Sequence, residues 1–197
     1  MSNSNLKTYL TSNLDIAEDD LSSLLENCSS KTYKKDEFLL RENEHCNYTF
    51  FVEEGLLRQY SISSNGKEHT ISFGPENWFV TDRESMYFNK PSFYNIQALE
   101  DSKVVEIDDH FIKLLSEKIP SFTTFNNKLL HNHIRQLQNR INLLLGASAE
   151  ERYLEFVAMY PNILLRVPQI MVASYLGITP ESLSRVRKEL ARKNFKK

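Results

Sequence analysis

The side chains best suited to metal chemistry in this 197-residue sequence are two cysteines and five histidines, and their spacing argues against a metal centre. Cys28 and Cys46 do not form the close CxxC pair that zinc and iron–sulfur sites usually need, so free thiols are expected. His131 and His133 lie two apart in a helical pattern and point about 160° away from each other. The other three show no paired His-x-His with a following Glu, as a metal-dependent barrel enzyme would require: His45, His69 and His110. The sequence therefore predicts no metal, no cofactor and no catalytic residue.

A charged pair near the end of the chain, Glu181 and Arg185, is suited to reading DNA bases. The two residues lie one helical turn apart and point the same way. In a major groove, Arg185 could donate to guanine O6 and N7, and Glu181 could accept from cytosine N4. An ion pair between them on a solvated surface is the alternative. The predicted DNA-binding set is completed by residues of the same helix and its cap: Thr179, Ser182, Lys188 and Arg192.

Residues 168–193, PQIMVASYLGITPESLSRVRKELARK, have the spacing of the helix-turn-helix that would position this pair. Ala173 supplies a small residue where two helices cross, and Gly177 a residue that can adopt αL in the turn. Thr179 can cap the second helix, with Pro180 in its first turn. The positions whose side chains pack between the two helices and fix the angle between them are apolar: Val172, Leu176, Ile178, Leu183 and Val186.

The charge distribution also points to nucleic acid. Eight lysines and arginines against Glu181 and Glu189 give residues 166–197 a charge of +6, so that with a total of −2 residues 1–165 carry −8. A basic end on an acidic body is expected of a segment that meets phosphates. The composition is that of a soluble globular protein, and no stretch resembles a membrane span or a signal peptide, so a cytoplasmic protein is expected.

The preceding segments predict an antiparallel β domain followed by a long helix. Leucines in residues 4–27 suit short amphipathic helices broken near Asn13 and Asp15, and short β-rich runs follow from Ser30 to Ile107. Asn65-Gly66 between two such runs predicts a hairpin, and FYNIQALE and KVVEID form a further strand pair. Several short strands at this spacing favour an antiparallel sandwich or β-roll.

Within residues 109–145, five apolar residues at heptad spacing form a seam typical of a helix that pairs with another helix: Leu130, Ile134, Leu137, Ile141 and Leu144. A homodimer coiled coil is the favoured interpretation, and a helix packed on its own domain is the alternative. Phe122, Phe125 and Leu129 lie on a neighbouring stripe expected to pack on the β-roll. The helix should end at Gly146, and Ser148-Ala149-Glu150-Glu151 predicts a capping box that opens a new helix through Met159.

The predicted fold is α+β, with an N-terminal antiparallel β-roll of jelly-roll type, a long dimerisation helix and a winged-type helix-turn-helix that lacks its final wing. The expected organisation is a sensor domain at 1–108, the dimerisation helix at 109–145, a hinge at 146–148 and a DNA-binding domain at 149–197. Residues 163–167 (ILLRV) could form a short strand, the only remaining candidate for wing contacts.

This order of elements, with ASYLGITPESLSRVRKEL, resembles the Crp/Fnr family of bacterial transcription regulators, and ENWFVTDRESM and PSFYNIQALEDS are most similar to its Bacteroidetes-type branch. The resemblance implies a homodimer on a near-palindromic DNA site, with RNA polymerase as a further partner. The family's usual reading helix carries Arg-Glu-x-x-x-Arg, whereas this chain has Pro180-Glu181-x-x-x-Arg185. One base preference should therefore change or loosen.

The resemblance also implies a place for an effector in the β-roll. Relatives that bind cyclic nucleotides hold the phosphate with an arginine, but the corresponding elements here are Thr81-Asp82-Arg83 and Ser92-Phe93, and that arginine is missing. A carboxylate without it would repel a cyclic phosphate, so cyclic AMP is not expected. Another small ligand, of unknown identity, could be held by a set for which plain core is the alternative: Trp78, Phe79, Asp82, Arg83, Ser92 and Phe93. A signalling module that acts through a protein partner is the alternative function.

Overall fold

The computed structural model describes residues 4–26 and 28–194, which form two four-stranded sheets and eight α-helices. The strands are β1 (Ser29–Tyr33), β2 (Phe38–Leu40), β3 (Thr49–Glu54), β4 (Leu57–Ile62), β5 (Glu68–Gly74), β6 (Phe79–Val80), β7 (Asn95–Ala98) and β8 (Ser102–Ile107). The helices are α1 (Ser4–Thr11), α2 (Glu18–Leu25), α3 (Arg83–Phe88), α4 (Asp109–Lys118), α5 (Pro120–Gly146), α6 (Ala149–Met159), α7 (Gln169–Leu176) and α8 (Pro180–Asn194), with a 3-10 turn at Ile163–Leu165.

The strands form the antiparallel β-roll that the sequence predicted. One sheet has the order β1-β8-β3-β6 and the other β2-β7-β4-β5, and every pairing is antiparallel. The predicted hairpin at Asn65-Gly66 is present between β4 and β5, although its loop is longer than two residues and only Gly66 has a positive φ, 79°. The expected pairing of FYNIQALE with KVVEID is wrong, because the turn between β7 and β8 carries the chain from one sheet to the other.

The N-terminal helices, α4 and the start of α5 cover one face of the roll. Phe122 and Phe125 pack there in one apolar cluster with Phe51 of β3, as predicted. The buried carboxylate of Glu53 anchors α1 to β3, because its Oε1 accepts the backbone N–H of Leu6 at 3.1 Å.

Residues 109–145 form two helices rather than the single helix predicted. The break falls at Ile119, which is extended with φ −119° and ψ 103°. Pro120 causes it, because a proline ring disfavours the helical conformation of the residue before it. The predicted end at Gly146 is confirmed, and the capping box at Ser148 and Glu151 opens α6 as expected.

A second apolar cluster joins the C-terminal helices to the β-roll. Its centre is Phe73 of β5, whose ring lies 6.1 Å from Phe156 of α6 and 5.8 Å from Tyr175 of α7. Trp78, after β5, stacks on Tyr160 at 5.2 Å. The helices at the end of the chain are therefore packed against the roll of the same molecule.

The strand expected at residues 163–167 is not formed, since this segment contains the 3-10 turn. Ile163 and Val167 are buried four residues apart, while Leu165 is 90% exposed. A strand would have placed all three on one face, whereas a helical turn buries only the first and the last. Within residues 4–26 and 28–194, no helix combines the length and apolar character that crossing a membrane requires.

Candidate nucleic-acid interface

Helices α7 and α8 form the two helices of the predicted helix-turn-helix. Gly177 ends α7 with φ 66° and ψ 34°, the left-handed conformation required of it, and its N–H bonds to the carbonyl oxygens of Ala173 and Ser174. Ile178 N also donates to Ala173 O at 3.0 Å, which closes the turn. Ala173 is fully buried at the crossing. The local spacing of small residue and glycine is what shapes this turn.

The second helix begins as predicted. Thr179 Oγ1 accepts the backbone N–H of Ser182 at 3.2 Å, and Pro180 occupies the first helical position. Leu183 and Val186 are buried against α6 and α7. Burial of this stripe turns the opposite side of α8 to solvent.

The solvent face of α8 carries the predicted base readers and phosphate contacts. Four of its side chains are exposed and, at 100° per residue, project within an arc of about 60°: Glu181, Arg185, Lys188 and Arg192. In the described part of the chain none of them forms an ion pair, so the surface pair of Glu181 with Arg185 that the sequence left open is not present. The pKa of Glu181 is lowered by its backbone N–H and by the Thr179 hydroxyl, which keeps it an ionised acceptor.

Two details of this face were not predicted from the sequence. Ser182 is half-buried, and its hydroxyl oxygen accepts a hydrogen bond from the Thr179 hydroxyl at 3.2 Å, so this side chain is part of the helix cap. Ser184, which the prediction omitted, is exposed. Its position three residues after Glu181, which makes the two neighbours on the helix surface, was the available signal.

Two of the basic residues counted near the end of the chain are already paired. Lys193 Nζ lies 2.7 Å from Glu150 Oε1 at the start of α6. Arg166 bonds Glu76 with both terminal nitrogens, at 2.8 and 2.9 Å, and also bonds Glu100. These contacts hold the helices in place, and the remaining described cations stay available to a ligand.

The predicted seam on α5 is an exposed apolar stripe. Ile134, Leu137 and Ile141 are 50%, 42% and 55% exposed, so their own molecule does not cover them. Leu130 is half-buried, and Leu144 reaches the turn of the helix-turn-helix, where its Cδ2 would lie 3.2 Å from a Cβ at Gly177. This stripe is not the side of α5 that packs on the roll.

In the predicted effector region, Asp82 and Ser92 contact each other directly. Ser92 Oγ donates to Asp82 Oδ2 at 2.7 Å, while Asp82 Oδ1 accepts the backbone N–H groups of Glu84 and Ser85 as the cap of α3. Asp82 and Ser92 are both buried. Every carboxylate oxygen of Asp82 is thus bonded within the protein.

The other four predicted pocket residues lie apart. Trp78 packs on Tyr160 in the apolar cluster of the C-terminal helices. Phe79 packs on Phe51, with 4.9 Å between the ring centroids, in the cluster formed with the N-terminal helices. Phe93 is 67% exposed, and Arg83 is half-buried at the start of α3. The structure does not bring these aromatic side chains together around one cavity.

The described residues hold no group of three or more metal-ligating side chains. Cys28 and Cys46 are free thiols. Burial, and the charge of Asp108 secondarily, raise the pKa of the Cys28 thiol to about 12, so it is protonated at neutral pH.

Residues 30–118 match the model of the cyclic nucleotide-binding domain. The chain is 29% identical over 179 residues to the anaerobic regulatory protein of Pasteurella multocida, covering 85% of this chain and 64% of that relative. It is 28% identical over 189 residues to the transcriptional activator protein anr of Pseudomonas aeruginosa, covering 88% and 75%. Both relatives are named as regulators, the class of protein that the sequence predicted.

Solved structures share the fold at lower identity. FixK2 from Bradyrhizobium japonicum superposes with a TM-score of 0.73 at 19% identity, covering 85% of this chain and 86% of its own. A CooA mutant from Carboxydothermus hydrogenoformans gives 0.71 at 21% identity, covering 98% and 87%. The order of β-roll, long helix and helix-turn-helix is common to them and to this chain.

Proposed function

We propose that the chain is a member of the Crp/Fnr family of bacterial transcription regulators and that it binds a near-palindromic DNA site as a homodimer. The observation that carries the proposal is the outer face of α8, where Glu181, Arg185, Lys188 and Arg192 are exposed without ion-pair partners among the described residues. Unpaired arginines and lysines on one side of a helix match the phosphates and base edges of a major groove.

In the proposed complex α8 enters the major groove with its N-terminal half at the bases. Arg185 donates to guanine and Glu181 accepts from cytosine, while Lys188 and Arg192 meet phosphates. The capped N-terminus at Thr179 presents backbone N–H groups to a further phosphate. Pro180 offers no donor where many relatives carry an arginine, which removes one contact from each half-site.

Selection of genomic fragments retained by the purified protein, followed by sequencing, tests this function. The expected result is one shared near-palindrome with half-sites about one helical turn apart. Arg185→Ala should reduce discrimination at one base pair per half-site by about 1–3 kcal/mol, and Lys188→Ala should weaken binding to all sequences alike. Recovery of no common sequence would exclude specific reading and favour action through a protein partner. Equal losses for both variants would make Arg185 a phosphate contact.

The homodimer is proposed to form through the apolar stripe of α5. Exposed Ile134, Leu137 and Ile141 repeat with heptad spacing, and burying them requires a second helix of the same kind. Leu137→Asp should yield a monomer by light scattering and weaken binding to the palindrome. Leu165→Asp is the matched control, since Leu165 is more exposed but lies off the stripe. A dimer that survives Leu137→Asp would place the interface elsewhere.

We propose a sensor role for residues 1–108, with α5 for dimerisation, a hinge at 146–148 and DNA binding by 149–197. Cyclic AMP is not the proposed effector, because both Asp82 carboxylate oxygens are bonded and the phosphate arginine is missing. Calorimetry with cyclic AMP should therefore detect no binding. The dimer would act in the cytoplasm on RNA polymerase at promoters, which transcription with purified polymerase on the selected sites would test.

A further inference from the structure

The outer edge of β5 is paired by side chains from α5 and α7 instead of by another strand. β5 stands last in the order β2-β7-β4-β5, so alternate backbone groups point away from the sheet. Thr70 N donates to Ser174 Oγ at 2.9 Å, and Ser174 Oγ donates to Glu68 O at 3.0 Å. Arg140 Nη2 donates to Thr70 O at 3.2 Å. Three backbone groups on this edge therefore find their partners in two helices.

Arg140 connects three parts of the molecule. It is rooted in α5, it bonds Thr70 O of β5, and it donates to Tyr175 O of α7 at 2.9 Å. Its guanidinium also lies over the Tyr175 ring, 3.6 Å from the centroid. Planar donor geometry and stacking together are properties that arginine has and lysine lacks.

These contacts fix where α8 stands relative to α5. Between α5 and α8 the chain passes through Ala147, which is extended, and then through α6 and α7. An extended residue between two helices does not by itself define the angle between them. Ser174 ties α7 to the roll, and Arg140 ties both to the long helix. Because α7 packs on α8 in one cluster, the reading face moves with them.

We propose that Arg140 and Ser174 are positioning residues that set the spacing between half-sites that the dimer accepts. The inference rests on the proposed function. In a symmetric dimer, any displacement of α8 relative to α5 occurs in both protomers and so changes the separation of the two reading helices. Each added base pair shifts one half-site by about 3.4 Å and rotates it by about 35°. A reading helix held rigidly accepts one spacing, and a loosened one accepts several.

The test uses the full chain and synthetic duplexes that carry the selected half-site as an inverted repeat, with the spacing changed one base pair at a time. Binding is measured by fluorescence anisotropy for the wild type, Arg140→Gln, Ser174→Ala and the double variant. Arg135→Gln is the matched control, because Arg135 is exposed on the same helix and away from both β5 and the heptad stripe. Circular dichroism and light scattering establish that each variant is folded and dimeric.

The wild type and the control are expected to prefer one spacing by about tenfold over its neighbours, a difference of about 1.4 kcal/mol. The double variant should lose at least about threefold of that preference, with base discrimination inside a half-site unchanged. An unchanged spacing profile, or a loss that is equal at all spacings, overturns the positioning role. Failure of the wild type to bind any inverted repeat would instead overturn the proposed function, and the positioning role with it.

Discussion

Replacing Arg166 by Gln should loosen the attachment of the C-terminal helices to the β-roll. Arg166, 21% exposed, bonds Glu76 in a bidentate manner and also bonds Glu100, and the two carboxylates are 38% and 37% exposed. A single exposed ion pair contributes about 0.2–1 kcal/mol, and a hydrogen bond to a charged group about 1.5–3 kcal/mol. Because solvent screens both carboxylates, we expect a loss near the lower values, about 1–2 kcal/mol.

The loss should depend on pH in a defined direction. Burial is the largest single influence on the pKa of Glu76 and raises it, but the hydrogen bonds and charge of Arg166, together with the backbone N–H groups of Glu76 and Gly55, outweigh burial and hold that pKa below its usual value. A carboxylate with a depressed pKa contributes stability that is present above its unfolded pKa, about 4.3, and lost as pH falls through the folded one. The difference between wild type and Arg166→Gln should therefore be full at pH 7 and shrink below about pH 4.

Urea denaturation at pH 7 and at the lowest pH where both proteins still fold measures this difference. Glu76→Gln combined with Arg166→Gln should show less than the sum of the two single losses, because the variants remove the same bonds. Lys90→Gln, which breaks the more exposed pair with Glu84, is the control and should change little. If the effect of Arg166→Gln were the same at both pH values, it would reside in packing of the side-chain stem and not in the ion pairs.

Two further predictions concern the turn and the cap of the C-terminal helices. Gly177→Ala should lower the free energy of unfolding by about 1–2 kcal/mol, because a Cβ is strained in αL and would approach Leu144 Cδ2 at 3.2 Å. Gly66→Ala places its Cβ in open space and should lower that free energy less. Urea denaturation that ranks the two variants in the reverse order would contradict this account. Ser148→Ala should cost about 1 kcal/mol by removing the cap of α6. The pKa of Glu151 is lowered by the backbone N–H and the hydroxyl of Ser148, so the advantage of the wild type should diminish as pH falls below about 4.3. An advantage independent of pH would show that the Ser148 hydroxyl does not stabilise the Glu151 carboxylate, since the variant keeps the backbone N–H of residue 148.

The helix-turn-helix was predictable because its determinants are local. Gly177, Thr179 and Ser148 act on backbone within four residues of themselves, so their spacing in the sequence is also their spacing in space. The incorrect prediction of a strand at 163–167 shows the limit of this reasoning. Adjacent apolar residues fit a strand and a helical turn equally well, and only the exposure of Leu165 in the structure distinguishes the two.

The contacts that hold the two halves together were not predictable. Ser174 bonds residues more than a hundred positions away, and Arg166 meets Glu76 across ninety. No local pattern marks such pairs, because they arise only when the roll and the helices have folded and met. In the effector region, the sequence predicted that Asp82 and Ser92 lie near each other, but not that the Ser92 hydroxyl donates a hydrogen bond to the Asp82 carboxylate.

The covered edge of β5 has a consequence for what the β-roll can do alone. A fragment that ends after β8 would lose Arg140 and Ser174, and with them the partners of Glu68 O, Thr70 N and Thr70 O. Such an edge is a template for any extended chain, so the isolated roll should self-associate by strand addition. Because α5 and α7 cover this edge, the β-roll should resist aggregation only after both helices have packed against it.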